Sequence, residues 1–96
     1  MPLGEISTIL KDHQDELKRR GVLGIGVFGS FACNEANDVS DIDLLVEFDS
    51  QRGLFAFIDL KSYLENLLHR PIDLVTKNAL HPALRERILN EVKSAF

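Results

Sequence analysis

The chain has 96 residues, of which 45% are hydrophobic and 27% are charged, and its formal net charge at pH 7 is -4. This composition is typical of a folded globular protein, and the length suits a single domain spanning residues 1–96. No long basic face is present, which argues against direct binding to nucleic acid, and no apolar stretch reaches membrane-spanning length. The one cysteine, Cys33, leaves no internal disulfide, so we expect a cytoplasmic protein.

Apolar periodicity predicts helices at residues 5–20 and 54–69 and a C-terminal helix within residues 79–96. Short β-branched runs predict strands at residues 22–28, 42–48 and 71–76, with a short helix following Ser30. The long helical connection between the last two strands favours a parallel or mixed sheet. We therefore expect an α/β (α+β) fold, in which a small mixed sheet of about three strands has helices packed on it.

Two carboxylates interrupt the second predicted strand, where Asp41 and Asp43 flank an isoleucine. Alternate side chains on a strand share a face, so both carboxylates are expected to point away from the core. Asp73 interrupts the third strand in the same manner and is expected beside them if the two strands are neighbours. Three such carboxylates can hold a magnesium ion, activate a hydroxyl group, or do both.

Gly29 and Ser30 form a turn where the first predicted strand gives way to the short helix. A glycine allows close approach of a ligand to the backbone, and amides at a helix N-terminus favour an anion such as phosphate. A Gly-Ser pair alone is usually only a turn with a helix cap, and an isolated pair of aspartates often marks a strand end. Their joint occurrence, with a third aspartate in the next strand, favours nucleotidyl transfer.

The segments GSFACNEANDVSDIDLLVEF, PIDLVT and LHPALRERILNEV resemble the minimal nucleotidyltransferases of the DNA polymerase β-like nucleotidyltransferase superfamily. The resemblance covers most of the chain and rests on Gly29-Ser30, a gap of ten residues, the Asp41-x-Asp43 pair and Asp73. It implies the nucleotidyltransferase fold, which is similar to the palm of polymerase β.

The resemblance also implies roles for these residues. Asp41, Asp43 and Asp73 would bind magnesium, with two ions at the site, and Asp73 would also help to deprotonate the acceptor hydroxyl. Gly29 and Ser30 would hold the triphosphate of the substrate ATP. Members this short are commonly antitoxins of HEPN ribonuclease toxins, which they silence by transferring AMP to a toxin tyrosine. A HEPN-family toxin in a hetero-oligomer is therefore the implied partner.

One departure from the family pattern leaves the activity open. Members often carry Gly-Ser-x-Ala-Arg-Gly at the turn, whereas Cys33 and Asn34 stand in this chain where that pattern has Arg and Gly. Cys33 lacks the cation that an arginine would present to a phosphate. The alternative is a catalytically weak or inactive antitoxin that inhibits its partner by binding and occlusion. A third interpretation is an enzyme that modifies a small hydroxyl compound.

Overall fold

The computed structural model describes residues 3–29 and 41–96. The strands are β1 (Val22–Phe28), β2 (Ile42–Phe48), β3 (Ile72–Thr76) and β4 (Lys93–Ser94). The helices are α1 (Leu3–Asp12), α2 (Gln14–Arg19), α3 (Gly53–Leu68) and α4 (Pro82–Glu91), with short 3-10 turns at residues 50–52 and 77–79. None of the helices in the described ranges is both long and apolar enough to cross a membrane.

The four strands form one mixed sheet in the order β3-β2-β1-β4. β1 is antiparallel to both β2 and β4, whereas β2 and β3 are parallel. The parallel pair requires a crossover connection, which α3 provides. The predicted α+β class and mixed sheet are therefore confirmed, with one strand more than expected.

One face of the sheet packs against helices α1, α2 and α3 to form the core. Along β2, alternate residues point to this face, as the strand pattern predicts, and are fully buried. The fully buried large side chains are Ile6, Leu10, Leu17, Val22, Val27, Ile42, Leu44, Val46, Leu60, Leu64 and Leu68. The second face of β2 is then left for Asp43, Leu45 and Glu47.

The single N-terminal helix predicted at residues 5–20 is two helices, α1 and α2, which meet at His13. The backbone of His13 has φ -105° and ψ 17°, outside the helical region, and its Nδ1 lies 2.9 Å from the carbonyl oxygen of Ile9. That carbonyl also accepts the His13 backbone N–H at 3.2 Å. The side chain thus competes for a helical acceptor, which accounts for the break.

The C-terminal segment does not remain helical to its end, because α4 stops at Glu91 and the backbone becomes extended at Val92. β4 follows and pairs with Gly26 and Val27 at the free edge of β1. Beyond β4, Ala95 donates a backbone hydrogen bond to the Ile25 carbonyl at 2.9 Å. These bonds satisfy backbone groups that the edge of β1 would otherwise leave unpaired.

Candidate functional site

The centre of the site is a pair of carboxylates on neighbouring parallel strands. Asp43 of β2 lies in register with Asp73 of β3, so the two side chains lie side by side on the same face of the sheet. The sequence predicts that Asp73 projects beside the aspartates of the preceding strand, and the structure places it beside Asp43.

The environment of Asp43 disfavours its ionised form. Partial burial, followed by the negative charge and hydrogen bond of Asp73 and then the charge of Asp41, raises the pKa of Asp43 from 3.8 to about 6. Asp41 itself is exposed and lies immediately before β2. The three aspartates therefore share one region of negative potential, although only Asp43 is appreciably covered by protein.

Gly29 contacts the carboxylate of Asp43 from the adjacent strand end. Its φ of 73° is a left-handed conformation, which glycine adopts without steric cost. A Cβ atom built at Gly29 would overlap Oδ2 of Asp43 and lie 3.1 Å from Cγ. The chain thus needs glycine at this position both for its backbone angle and for the space that the carboxylate occupies.

Several predicted features lie outside the described residues. These are Ser30 and Cys33, together with the short helix expected after Ser30. The proposed role of Ser30 in phosphate binding and the consequence of Cys33 in place of arginine therefore stay predictions.

The same face of the sheet carries one further charged pair, away from the aspartates. Lys77 follows β3 and contacts Glu47 at 3.1 Å between Nζ and Oε1. Lys77 is the first basic residue after Asp73 in the sequence, and its ammonium group is paired with Glu47. The positive charge of Lys77 is therefore paired with Glu47 and not with Asp43 or Asp73.

Magnesium fits the chemistry of the carboxylate pair. In residues 3–29 and 41–96, no group of three or more His, Cys, Asp or Glu side chains is arranged to hold a metal ion. Magnesium nevertheless uses one or two protein carboxylates, its other positions being taken by water and phosphate. Burial, followed by the charge of Asp73, raises the pKa of Asp43, and a cation between Asp43 and Asp73 would offset both effects.

Sequence reasoning missed a cleft on the sheet face that carries Asp43. Gly24 and Gly26 of β1 lie opposite Glu47 and Leu45 of β2, on the face that carries Asp43. The absence of a side chain at Gly24 leaves space between the sheet and the end of α4, whereas Val92 fills the space at Gly26 and would be 2.7 Å from a Cβ built there. Two glycines spaced by two residues within a strand are the signal that could have indicated it.

An α+β sheet with aspartates converging beside a glycine turn defines a class of enzymes that act on phosphate groups. The chain belongs to the nucleotidyltransferase domain family, which matches residues 6–94, and it is a nucleotidyltransferase. It is 45% identical over 93 residues to the protein adenylyltransferase MntA of Thermococcus cleftensis, covering 96% of this chain and 94% of the relative.

Two solved structures have a similar fold. One is described as a putative minimal nucleotidyltransferase, with 38% identity and a TM-score of 0.84 over 97% of this chain and 95% of that one. The other is described as a tri-AMPylated Shewanella oneidensis HEPN toxin in complex with MNT antitoxin, and the match has 19% identity, a TM-score of 0.66 and coverage of 94% and 71%. The latter likeness shows the fold alone.

Proposed function

We propose that the chain transfers AMP from ATP to a protein hydroxyl in a magnesium-dependent reaction. The observation that carries this proposal is the pair of Asp43 and Asp73 in register on parallel strands, with Gly29 against Asp43. Carboxylates so arranged suit the binding of a cation and of the phosphates that the cation would bridge. The name of the Thermococcus relative, a protein adenylyltransferase, supports AMP as the group and a protein as the acceptor.

In this proposal Asp43 and Asp73 hold magnesium, Asp41 joins them when the metal binds, and two ions are expected. Magnesium, when bound, offsets the negative charge of the phosphates and of the transition state. Gly29 and Ser30 hold the triphosphate. The acceptor oxygen forms a bond to the α-phosphorus, the bond from that phosphorus to the bridging oxygen breaks, pyrophosphate leaves, and Asp73 accepts the hydroxyl proton.

The acceptor we propose is a tyrosine of a HEPN ribonuclease toxin, bound in a cytoplasmic hetero-oligomer in which this chain is the antitoxin. The similar fold described as an MNT antitoxin with an AMPylated HEPN toxin supports the choice of partner. A second support is an apolar patch on α3, formed by Leu54, Phe55 and Ile58, whose side chains are 69%, 83% and 49% exposed. Neighbouring exposed apolar side chains of this size commonly mark a protein contact.

The same patch favours a second candidate function, in which the chain neutralises its partner by occlusion with weak or no catalysis. The patch lies on α3, which begins after the C-terminal end of β2. Asp41 and Asp43 lie at the other end of β2, its N-terminal end. Binding through the patch would therefore not depend on the carboxylates. Occlusion and AMP transfer can be separated experimentally for this reason.

The test is transfer of radiolabelled AMP from ATP to the neighbouring toxin, with and without magnesium. We expect labelled toxin with the wild type and none with the double variant Asp41→Ala, Asp43→Ala. Asp15→Ala, which removes an exposed carboxylate on α2 away from the patch, is the matched control and should retain activity. Neutralisation by the folded double variant would favour occlusion, and an unlabelled toxin in the wild-type reaction would contradict the proposed transfer.

A further inference from the structure

Strand β3 lies at one edge of the described sheet, and part of its outer backbone has no partner. β3 pairs with β2 on its inner side. The carbonyl oxygen of Pro71 accepts the backbone N–H of Ile42 at 3.0 Å, which fixes the phase of the ladder. In a parallel ladder, residues that bond to one neighbour alternate with residues whose backbone points the other way. The backbone groups of Ile72, Leu74 and Thr76 therefore point away from β2.

Helix α3 protects the first half of this edge and leaves the second half open. Oε2 of Glu65 lies 3.4 Å from the backbone nitrogen of Ile72 and accepts its N–H. In the part of the chain that the structure describes, no such contact reaches the backbone N–H groups of Leu74 and Thr76. Unpaired backbone groups at a sheet edge are a template for one more strand.

The exposed side of α3 faces the same edge. Leu54, Ile58 and Glu65 are separated by four and seven residues, so their side chains lie along one side of the helix. Because Glu65 reaches the outer edge of β3, this side of α3 is turned towards that edge. An apolar pocket of about 480 Å³ lies between the start of α3 and the end of β3. The residues that line it include Leu54, Phe57, Leu74 and Thr76.

The open half of the edge leads from this pocket to the carboxylate pair. Asp73 lies three residues before Thr76, which is about 10 Å along a strand. Its side chain lies on the face opposite to that of Leu74, beside Asp43. Gly29 contacts Asp43 from the β1 side, so the edge of β3 is on the other side of the pair. With the phosphates at Gly29, the acceptor reaches the phosphorus in line from the β3 edge.

We propose that the acceptor segment of the partner binds as an added β-strand along the outer edge of β3, with its acceptor hydroxyl beside Asp73. This inference rests on the proposed function, in which Asp73 accepts the hydroxyl proton. Neighbouring strands lie about 4.8 Å apart, so the residue beside Asp73 has its side chain on the same face, with about 5 Å between the Cβ atoms. The backbone of β3 thus sets both the position and the face of the acceptor.

The bond changes are those of the proposed transfer. The acceptor oxygen bonds to the α-phosphorus, pyrophosphate leaves with the electron pair of the broken bond, and the hydroxyl proton passes to Asp73. The edge of β3 takes no part in these changes. Its contribution is to hold the acceptor in place, which is the kind of positioning that accelerates transfer.

The surroundings of the edge select the sequence of the added strand. Its alternate side chains face the core side, where the patch on α3 and the pocket offer apolar contacts. We therefore expect apolar residues one and three positions from the acceptor, opposite Leu74 and Thr76.

The face that carries the acceptor adds a charge requirement. Asp41, Asp43 and Asp73 share this region, so acidic residues on that face of the segment are disfavoured and a basic residue two positions from the acceptor is favoured. An extended segment with this alternation uses the unpaired backbone, the pocket and the carboxylates together. A small molecule in the pocket would leave the edge of β3 unpaired.

Thr76→Pro removes one hydrogen-bond donor from the open edge at little cost to the fold. The φ of Thr76 is -81°, which is close to the range of proline, and its N–H points away from β2. Thr76→Ala keeps the N–H and removes the side chain at the pocket, so it separates the two contributions. Asp15→Ala, on α2, is the control away from the edge.

The first measurement is amide hydrogen exchange, read residue by residue by NMR in the free wild type and in its complex with the toxin. In the free chain we expect fast exchange at Leu74 and Thr76 and slow exchange at Asp73 and Val75, whose N–H groups point to β2. Binding of the toxin should slow exchange at Leu74 and Thr76 by about ten-fold or more.

The second measurement is KM for the toxin in AMP transfer. Thr76→Pro should raise it by about ten-fold or more, because a hydrogen bond is lost and the proline ring meets the incoming strand. Thr76→Ala should raise it by less than about three-fold, and Asp15→Ala should match the wild type. All three variants should bind a non-hydrolysable ATP analogue with magnesium within about two-fold of the wild-type affinity.

The outcomes separate this inference from the proposed function. Labelled toxin together with unchanged exchange at Leu74, or with a wild-type KM in folded Thr76→Pro, would overturn the added strand and leave the proposed transfer in place. An equal rise in KM for Thr76→Ala and Thr76→Pro would assign the effect to the pocket and overturn the role of the edge. A wild type that labels no toxin would remove the proposed function and, with it, this inference.

Discussion

Replacement of Asp43 by asparagine tests the electrostatics of the site independently of any partner. Asp43 is half-buried beside Asp73, and its burial, followed by the charge of Asp73, raises its pKa from 3.8 to about 6. The folded chain therefore holds the ionised form of Asp43 less favourably than the unfolded chain does. We expect Asp43→Asn to stabilise the magnesium-free protein while abolishing AMP transfer.

The magnitude and sign follow from the shift in pKa. A change from 3.8 to about 6 corresponds to an upper limit of about 3 kcal/mol, at about 1.4 kcal/mol per pKa unit. Because Asp43 is only half-buried, solvent screening reduces the expected gain to roughly 1 kcal/mol. Below about pH 4 the carboxyl is neutral in both states and the gain vanishes. It develops as the pH rises from about 4 to 6 and stays constant above that.

The assay is urea unfolding and thermal unfolding in EDTA between pH 4 and pH 8. A gain of roughly 1 kcal/mol corresponds to a rise in Tm of about 4–8 °C for a chain of this size. Asp59→Asn, the same chemical change at an exposed position on α3, is the control and should shift the stability by less than about 0.5 kcal/mol. A gain of equal size at pH 4 and pH 8, or no gain at either, would refute the electrostatic reasoning. Added magnesium should raise the Tm of the wild type and leave that of Asp43→Asn nearly unchanged.

Three further predictions concern packing and the α3 patch. Gly29→Ala should cost about 1–3 kcal/mol in urea unfolding, because its Cβ would meet the Asp43 carboxylate at a left-handed φ; an unchanged midpoint would contradict that contact. Leu64→Ala should cost about 2–5 kcal/mol, whereas Leu54→Ala, at an exposed position of the same helix, should change the stability by less than about 0.5 kcal/mol, and equal losses would refute the assigned core. Phe55→Ser should leave the free energy of unfolding within about 0.5 kcal/mol of the wild type and weaken toxin binding by about ten-fold or more in calorimetry, with wild-type affinity excluding the patch from the interface.

Strands β1 and β2 could be predicted to the residue because each combines β-branched side chains with a sharp boundary. β4 could not, since Lys93 and Ser94 carry no local strand signal and become extended by pairing with the edge of β1. The break at His13 was equally hidden, because it depends on a side-chain contact with the Ile9 carbonyl that apolar periodicity does not report. Local pattern thus predicted the elements with strong local preferences and missed those that tertiary contacts create.

At the site, the meeting of Asp43 and Asp73 followed from two rules that the sequence does display. Strand alternation put both carboxylates off the core face, and the helical crossover favoured parallel neighbours. The contact between Gly29 and the Asp43 carboxylate depends on strand register, which no local pattern provides. The space at Gly24 and Gly26 depends in addition on where the chain end returns to the sheet.

The apolar side chains of α3 show why periodicity alone overestimates the core. Apolar periodicity places Leu54 and Ile58 on the same helical stripe as Leu64 and Leu68, and an aromatic residue such as Phe55 is more often found in a core, yet Leu54, Phe55 and Ile58 are exposed. Leu64 and Leu68 of the same helix are fully buried. A hydrophobic residue is favoured wherever it is removed from water, whether its own chain or a partner covers it, so the sequence pattern is the same in both cases. The first turns of α3 therefore carry apolar side chains that this chain does not bury. These are the side chains that a protein partner would cover.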